Sequence, residues 1–152
     1  MLRVTHQTGE ADFETVRHGY EAAGWQDNVD VRAYIDDMVT EFARADLVLC
    51  RAGATTSAEL LAAGKAAIMV PFPLAADDHQ RKNAEALQAA GAARMILQKE
   101  LTGERLANEI GSLLAAPEKI DQMEMAGHKL ARRDAATAAV DLMDGLVKSS
   151  RQ

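Results

Sequence analysis

The chain has 152 residues, 48% hydrophobic and 26% charged, the length and balance of one globular domain with a substantial core. Its 17 Lys and Arg against 23 Asp and Glu leave a net charge of -6, so it has no general attraction for phosphate backbones or anionic lipid, and nucleic acid is not an expected partner. One cysteine, Cys50, forms no internal disulfide framework and suits a reducing cytoplasm; the longest apolar stretch, Ala66 to Ala76, is broken by Pro71 and Pro73 and too short to span a bilayer, and no signal-peptide pattern opens the chain.

Leu2 to His6 reads as a short strand, and Ala11 to Ala23 as a helix that stops at Gly24. Val29 to Val31 forms the next strand, after which Asp36 is placed to cap a short helix that sends Met38, Val39 and Phe42 toward a core. Asp46-Leu-Val-Leu-Cys50 has the apolar run of a strand covered on both faces. A turn at Gly53 then opens a helix from about Ser57 to Ala63, closed by Gly64. Ala66 to Val70 repeats the buried-strand pattern, Pro71-Phe-Pro73 forces a loop, and Asp77 or Asp78 can cap a helix that runs to Ala90 ahead of Gly91. Ala93 to Leu97 is the last strand. From Thr102, an N-cap candidate, the chain is helical to Ala115, again from Pro117 to Gly127, and finally from Ala131 to Val147 with Val140, Met143 and Val147 on one stripe.

Strands alternating with helices at this spacing pair in parallel through right-handed crossovers. The expected fold is α/β, an open doubly wound parallel sheet whose ligand-binding loops lie at the carboxyl ends of the strands.

Three segments carry chemistry. In Cys50-Arg-Ala-Gly-Ala-Thr-Thr-Ser-Ala-Glu59 a strand end meets a small-residue turn and a helix start, where free amides and the helix dipole favour an anion such as a diphosphate. Thr56 and Glu59 equally match a capping box, in which both side chains serve only their own helix, while a glutamate near such a helix start can also accept the two hydroxyls of a ribose. In the second segment, Pro71 to Asn83, Gln80 and Asn83 share a helix face and can bind neighbouring sugar hydroxyls, with His79 as a further donor; a solvated polar face is the plainer alternative. The third, Tyr34-Ile-Asp-Asp-Met38, follows a strand and could read a flat base edge through its backbone, although Ile35 and Met38 also suit simple packing. Cys50 reads as a small buried hydrophobe, not a nucleophile, and His6, His18 and His128 show no metal spacing.

In order and spacing, Tyr34 to Met38, Cys50 to Glu59, Gly64 with the strand to Phe72, and Asp78-His-Gln-Arg-Lys-Asn-Ala84 resemble the carboxyl-terminal domain of the MurG family of UDP-N-acetylglucosamine transferases. His6-Gln7-Thr8-Gly9 adds to the resemblance, which covers about Leu2 to Asn108 and, more loosely, the last helices. It implies a Rossmann-like GT-B C-terminal domain that binds UDP-N-acetylglucosamine without a cofactor or metal. By position, Ile35 beside Met38 would read uracil through its backbone and Glu59 would hold the ribose diol. Ala54, Thr55 and Thr56 would line the diphosphate, and Gln80, with His79 and Asn83, would recognise the sugar. The reaction implied is inverting transfer of N-acetylglucosamine to lipid I, giving lipid II of peptidoglycan synthesis; no residue here is assigned as its catalytic base.

The family's amino-terminal acceptor domain has no counterpart in this sequence, nor has the glycine-and-serine loop with its strand and helix, so the first β-α unit is expected to be absent. Residues 1–130 are then expected to form a partial donor-binding domain, and 131–152 an amphipathic helix and tail. Activity is expected to need an acceptor domain or partner chain, with a membrane lipid acceptor met indirectly at the inner face of the plasma membrane. The alternative is a non-catalytic nucleotide-sugar-binding or assembly subunit of a split glycosyltransferase with another lipid acceptor, docked through the terminal stripe.

Overall fold

Five short strands and six α-helices alternate along residues 2–131, the part of the chain that the computed structural model describes. The helix expected beyond Ala131, with Val140, Met143 and Val147, lies outside the described residues. The chain divides into two units, Met1–Arg44 and Ala45–Gln152.

In the first unit β1 (Val4–Gln7) pairs in parallel with β2 (Val29–Arg32), in the register Val4 to Val29 through Gln7 to Arg32. α1 (Phe13–Ala22) makes the crossover, and the ladder runs past the strand ends, with Thr8 N–H on the Arg32 carbonyl and Gly9 N–H on that of Ala33, both at 3.0 Å. That extension holds the segment leading into α2 (Met38–Arg44). The cap of α2 differs by one residue from expectation. Asp37, not Asp36, directly precedes the first helical residue, and its carboxylate accepts from Thr40 N–H at 3.0 Å and from the Thr40 hydroxyl at 2.5 Å. A capping side chain must reach amides two or three residues on, and only Asp37 is so placed.

The second unit holds a parallel sheet in the order β3-β4-β5, formed by Val48–Cys50, Ala67–Met69 and Ala93–Met95. Sheet-central β4 is buried at every residue, as a parallel strand covered on both faces should be. β3 departs from that pattern: it is an edge of this sheet, and Leu49 is 49% exposed. α3 (Ala54–Ala63) and α4 (His79–Ala89) connect the strands, and α5 (Gly103–Leu114) and α6 (Pro117–Leu130) follow. Thr102 caps α5 as expected, accepting from Arg105 N–H at 3.1 Å.

The core of this unit gathers Ala66, Ile68 and Val70 around β4, Ile96 after β5, Leu113 of α5 and Met123 of α6. Each large apolar side chain removed from water there stabilises the fold by about 1.5–3 kcal/mol. α6 packs on α3, closely enough that a Cβ on Gly64, whose φ is +64°, would stand 2.0 Å from Nε2 of His128. Glycine meets two demands at once there, a left-handed helix end and a close approach. No helix among the described residues is long and apolar enough to cross a membrane.

Candidate functional site

α3 starts earlier than the sequence pattern suggests. Its first residue is Ala54 and its N-cap is Gly53, an extended residue with φ -63° and ψ 153°. Thr56 is therefore the third helical residue and Glu59 the sixth, which removes both from capping-box positions. Because no side chain caps this end, the first-turn amides of Ala54, Thr55 and Thr56 have no partner within the helix and point beyond its start, at the positive end of the helix dipole. Helical spacing puts Thr55 and Glu59 on one face, and both are exposed, whereas Ser57 and Leu60 turn toward the core. Among the described residues the Glu59 carboxylate has neither a hydrogen bond nor an ion pair.

Side chains of α4 tie the neighbouring loops to this turn. Asn83 Nδ2 donates to the Ala52 carbonyl at 3.0 Å, just before the α3 turn, and Gln80 Oε1 accepts from Phe72 N–H at 3.0 Å, just after β4. Among the described residues each amide thus uses one end on the backbone and keeps the other, Gln80 a donor group and Asn83 an acceptor. His79 donates from Nδ1 to the Ala76 carbonyl at 2.6 Å, leaving Nε2 as an acceptor in the neutral ring. Neither aspartate ahead of it caps α4 with its side chain: Asp78 occupies the N-cap position, and Asp77 and Asp78 both adopt left-handed backbone, with φ of 50° and 55°.

Arg51 completes the rim and was not individually legible in the sequence. Its Nη1 donates to the Val70 carbonyl at 3.1 Å and to Gln98 Oε1 at 2.7 Å, and its guanidinium lies 5.7 Å from the centre of the Phe72 ring. One side chain at the end of β3 thereby links the segments that follow β4 and β5, and a cation over an aromatic face adds to the hold. Half-buried Cys50, one residue earlier, has its thiol pushed up to about 11 by desolvation, which suits packing and not nucleophilic chemistry.

Ala54, Thr55, Thr56, His79, Gln80 and Asn83 are all brought to the carboxyl edge of the three-stranded sheet, and Glu59 lies on the α3 face that leads away from it. In the first unit Ile35 and Met38 lie past the carboxyl end of β2. Ile35 is buried, Met38 is the half-buried first residue of α2, and Ile35 N–H donates to Gln7 Oε1 at 2.9 Å. Cavities of about 390 Å³ beside Met125 and Leu130, and about 230 Å³ beside Tyr20 and Val29, are lined by none of these residues. The candidate surface is an open loop edge. Among the described residues no group of three His, Cys, Asp or Glu could hold a metal ion.

A family model described as the glycosyltransferase family 28 C-terminal domain matches residues 1–139. Among curated relatives, the UDP-N-acetylglucosamine--N-acetylmuramyl-(pentapeptide) pyrophosphoryl-undecaprenol N-acetylglucosamine transferase of Citrifermentans bemidjiense is 54% identical over 142 residues, covering 93% of this chain and 39% of its own length. The same enzyme of Geobacter sp. strain M21 is also 54% identical, with 93% and 38% covered. The chain therefore spans about two fifths of the length of these relatives. Among solved structures, the crystal structure of Acinetobacter baumannii MurG superimposes with a TM-score of 0.82 at 34% identity, covering 95% of this chain and 41% of that one. That agreement matches the open parallel α/β architecture expected from the alternation of elements.

Proposed function

As this chain belongs to the family of glycosyltransferase family 28 C-terminal domains, we propose that it is the donor-holding portion of an enzyme that moves N-acetylglucosamine from UDP-N-acetylglucosamine to lipid I. What carries this reading is the stitched rim of the second unit, where Asn83 holds the turn at Ala52 and Gln80 holds the loop at Phe72. Those bonds leave the uncapped amino end of α3 and the free amide ends of α4 at the same sheet edge.

In this reading the amides of Ala54, Thr55 and Thr56 take the diphosphate. A helix amino end favours such an anion by about 0.3–1 kcal/mol, more where partly buried, and the same amides stabilise UDP as it departs with the charge of the broken glycosidic bond. Glu59, free of any cap, accepts the two ribose hydroxyls. Gln80 donates to a sugar hydroxyl, while Asn83 Oδ1 and His79 Nε2 accept from others. Within the first unit, taken by itself, Ile35 beside Met38 offers its backbone to a uracil edge. Direct displacement at the anomeric carbon also needs a base for the acceptor hydroxyl, and we assign that base and the lipid to an acceptor domain or partner chain. Residues 1–130 supply the donor-binding portion, which is inactive alone. Placement at the inner face of the plasma membrane belongs to the complete enzyme, since a net charge of -6 gives this portion no pull toward anionic lipid.

The decisive measurement is an NMR or calorimetric titration of the chain with UDP-N-acetylglucosamine, UDP-glucose and UDP. All three are expected to bind and to move the Thr55 and Thr56 amide resonances, with UDP-N-acetylglucosamine the tightest. No response to any of the three ends this reading, and equal affinities for all three end the sugar assignment alone.

A further inference from the structure

Gln7 closes β1, pairs in register with Arg32, and is exposed at the strand end. Its carboxamide oxygen is nevertheless occupied, accepting from the N–H of Ile35 at 2.9 Å. Ile35 lies three residues past β2 in a segment already held by the ladder bond from Gly9 N–H to the Ala33 carbonyl, so its backbone position does not depend on the Gln7 side chain alone. Among the described residues no hydrogen bond reaches the Ile35 carbonyl. The backbone of Ile35 therefore carries one donor, now taken by a flexible side chain, and, among the described residues, one unpartnered acceptor.

A carboxamide presents a carbonyl acceptor next to an N–H donor. The imide edge of uracil presents the same pair, a ring carbonyl beside N3–H. Resting on the reading that Ile35 receives the base, we propose that Gln7 is a self-ligand of that site: its carboxamide satisfies the Ile35 N–H where the imide edge of a uracil would bind, and swings aside when a uracil takes that donor. Two consequences follow from the chemistry. The buried residue's amide has a partner before a base arrives, the lack of which would be costly, and any incoming base must outcompete a resident amide, which lowers the apparent affinity of every base by one common factor.

A brace that merely orders the loop would look the same in one structure but responds to substitution with the opposite sign. Uridine, being uncharged, is the appropriate probe, with inorganic pyrophosphate as a probe that carries no base. Gln7→Ala removes the competitor and is expected to tighten uridine binding by about threefold to tenfold, the range set by one net hydrogen bond. Gln7→Glu keeps an acceptor and strengthens it by charge, so it is expected to weaken uridine binding and to leave Ile35 N–H exchange slow. Neither variant should change the response of the Thr55 and Thr56 amides to pyrophosphate. The Ile35 amide resonance should move on adding uridine to the parent chain and start from a different position in Gln7→Ala. Weaker uridine binding in Gln7→Ala would make Gln7 a brace and overturn the proposal, as would unchanged binding in both variants. If pyrophosphate binds but uridine fails with all three proteins, the base assignment of Ile35 falls and takes this proposal with it, while the diphosphate assignment stands.

Discussion

Arg51 and Gln98, forty-seven positions apart in the chain, meet through a 2.7 Å hydrogen bond that spans the carboxyl edge of the β3-β4-β5 sheet. The same Arg51 nitrogen also holds the Val70 carbonyl, so the turn after β3 and the segments after β4 and β5 are restrained by one planar group. A rim restrained in this way can present amides to a ligand in a set geometry.

The contribution of that bond is measurable by a double-mutant cycle in urea. Arg51→Met, which removes the guanidinium but keeps an unbranched side chain, combined with Gln98→Ala should give a coupling energy of about 0.5–1 kcal/mol, the modest value expected of an exposed pair. A coupling indistinguishable from zero would mean that the two residues touch without holding anything.

Glu59→Ala should weaken UDP binding by about 1–3 kcal/mol, with the urea midpoint and the circular dichroism of the chain unchanged. The second half of that expectation follows from the structure: the side chain is exposed and stands too far into α3 to serve its cap. Unaltered affinity would remove Glu59 from the ribose.

Gly64→Ala should destabilise the fold by about 1–2 kcal/mol from the left-handed backbone alone. A further loss comes from the ring of His128, which a Cβ would overlap. Adding His128→Ala should recover the second part and not the first. Full recovery in the double variant would show that the backbone conformation at residue 64 carries no penalty.

Asp37 titrates below its ordinary carboxylate value, held there first by the Thr40 hydroxyl, then by the Thr40 amide. A depressed folded-state pKa means that this cap contributes stability at pH values above the unfolded carboxylate range and loses it as the pH falls through the folded value. Carboxyl-carbon NMR should place the Asp37 midpoint below the ordinary aspartate value, and Thr40→Ala, which removes the hydroxyl bond, should raise it. Coincident midpoints in the two proteins would discount the cap.

The strands and the glycine-ended helices were legible because their signals are local: an apolar run such as Ala66 to Val70, or a helix that meets Gly64, needs no distant partner to be recognised. Helix starts were less legible. Thr56 and Glu59 have the spacing of a capping box, yet the helix begins at Ala54, since Gly53 can serve as an extended N-cap without a side chain. Asp36 and Asp37 differ by a single position, and only the observed start at Met38 selects between them. Gln80 and Asn83 were visible as polar residues on one helix face, but their bonds to Phe72 and Ala52 depend on where the sheet brings those backbone atoms. Arg51 and Gln7 were visible only as members of their motifs, because each acts on a partner in a segment that follows another strand.

Asp77 and Asp78 occupy left-handed backbone in succession, which for side-chain-bearing residues stores roughly 1–2 kcal/mol apiece. Rotating the peptide unit between them changes ψ of Asp77 and φ of Asp78 alone, so it cannot bring φ of Asp77 out of the left-handed region. The approach to α4 thus carries a local cost that glycine at either position would lessen at that position while loosening the lead-in to Gln80, so a higher melting temperature and faster amide exchange at Gln80 are expected to arrive in the same variant.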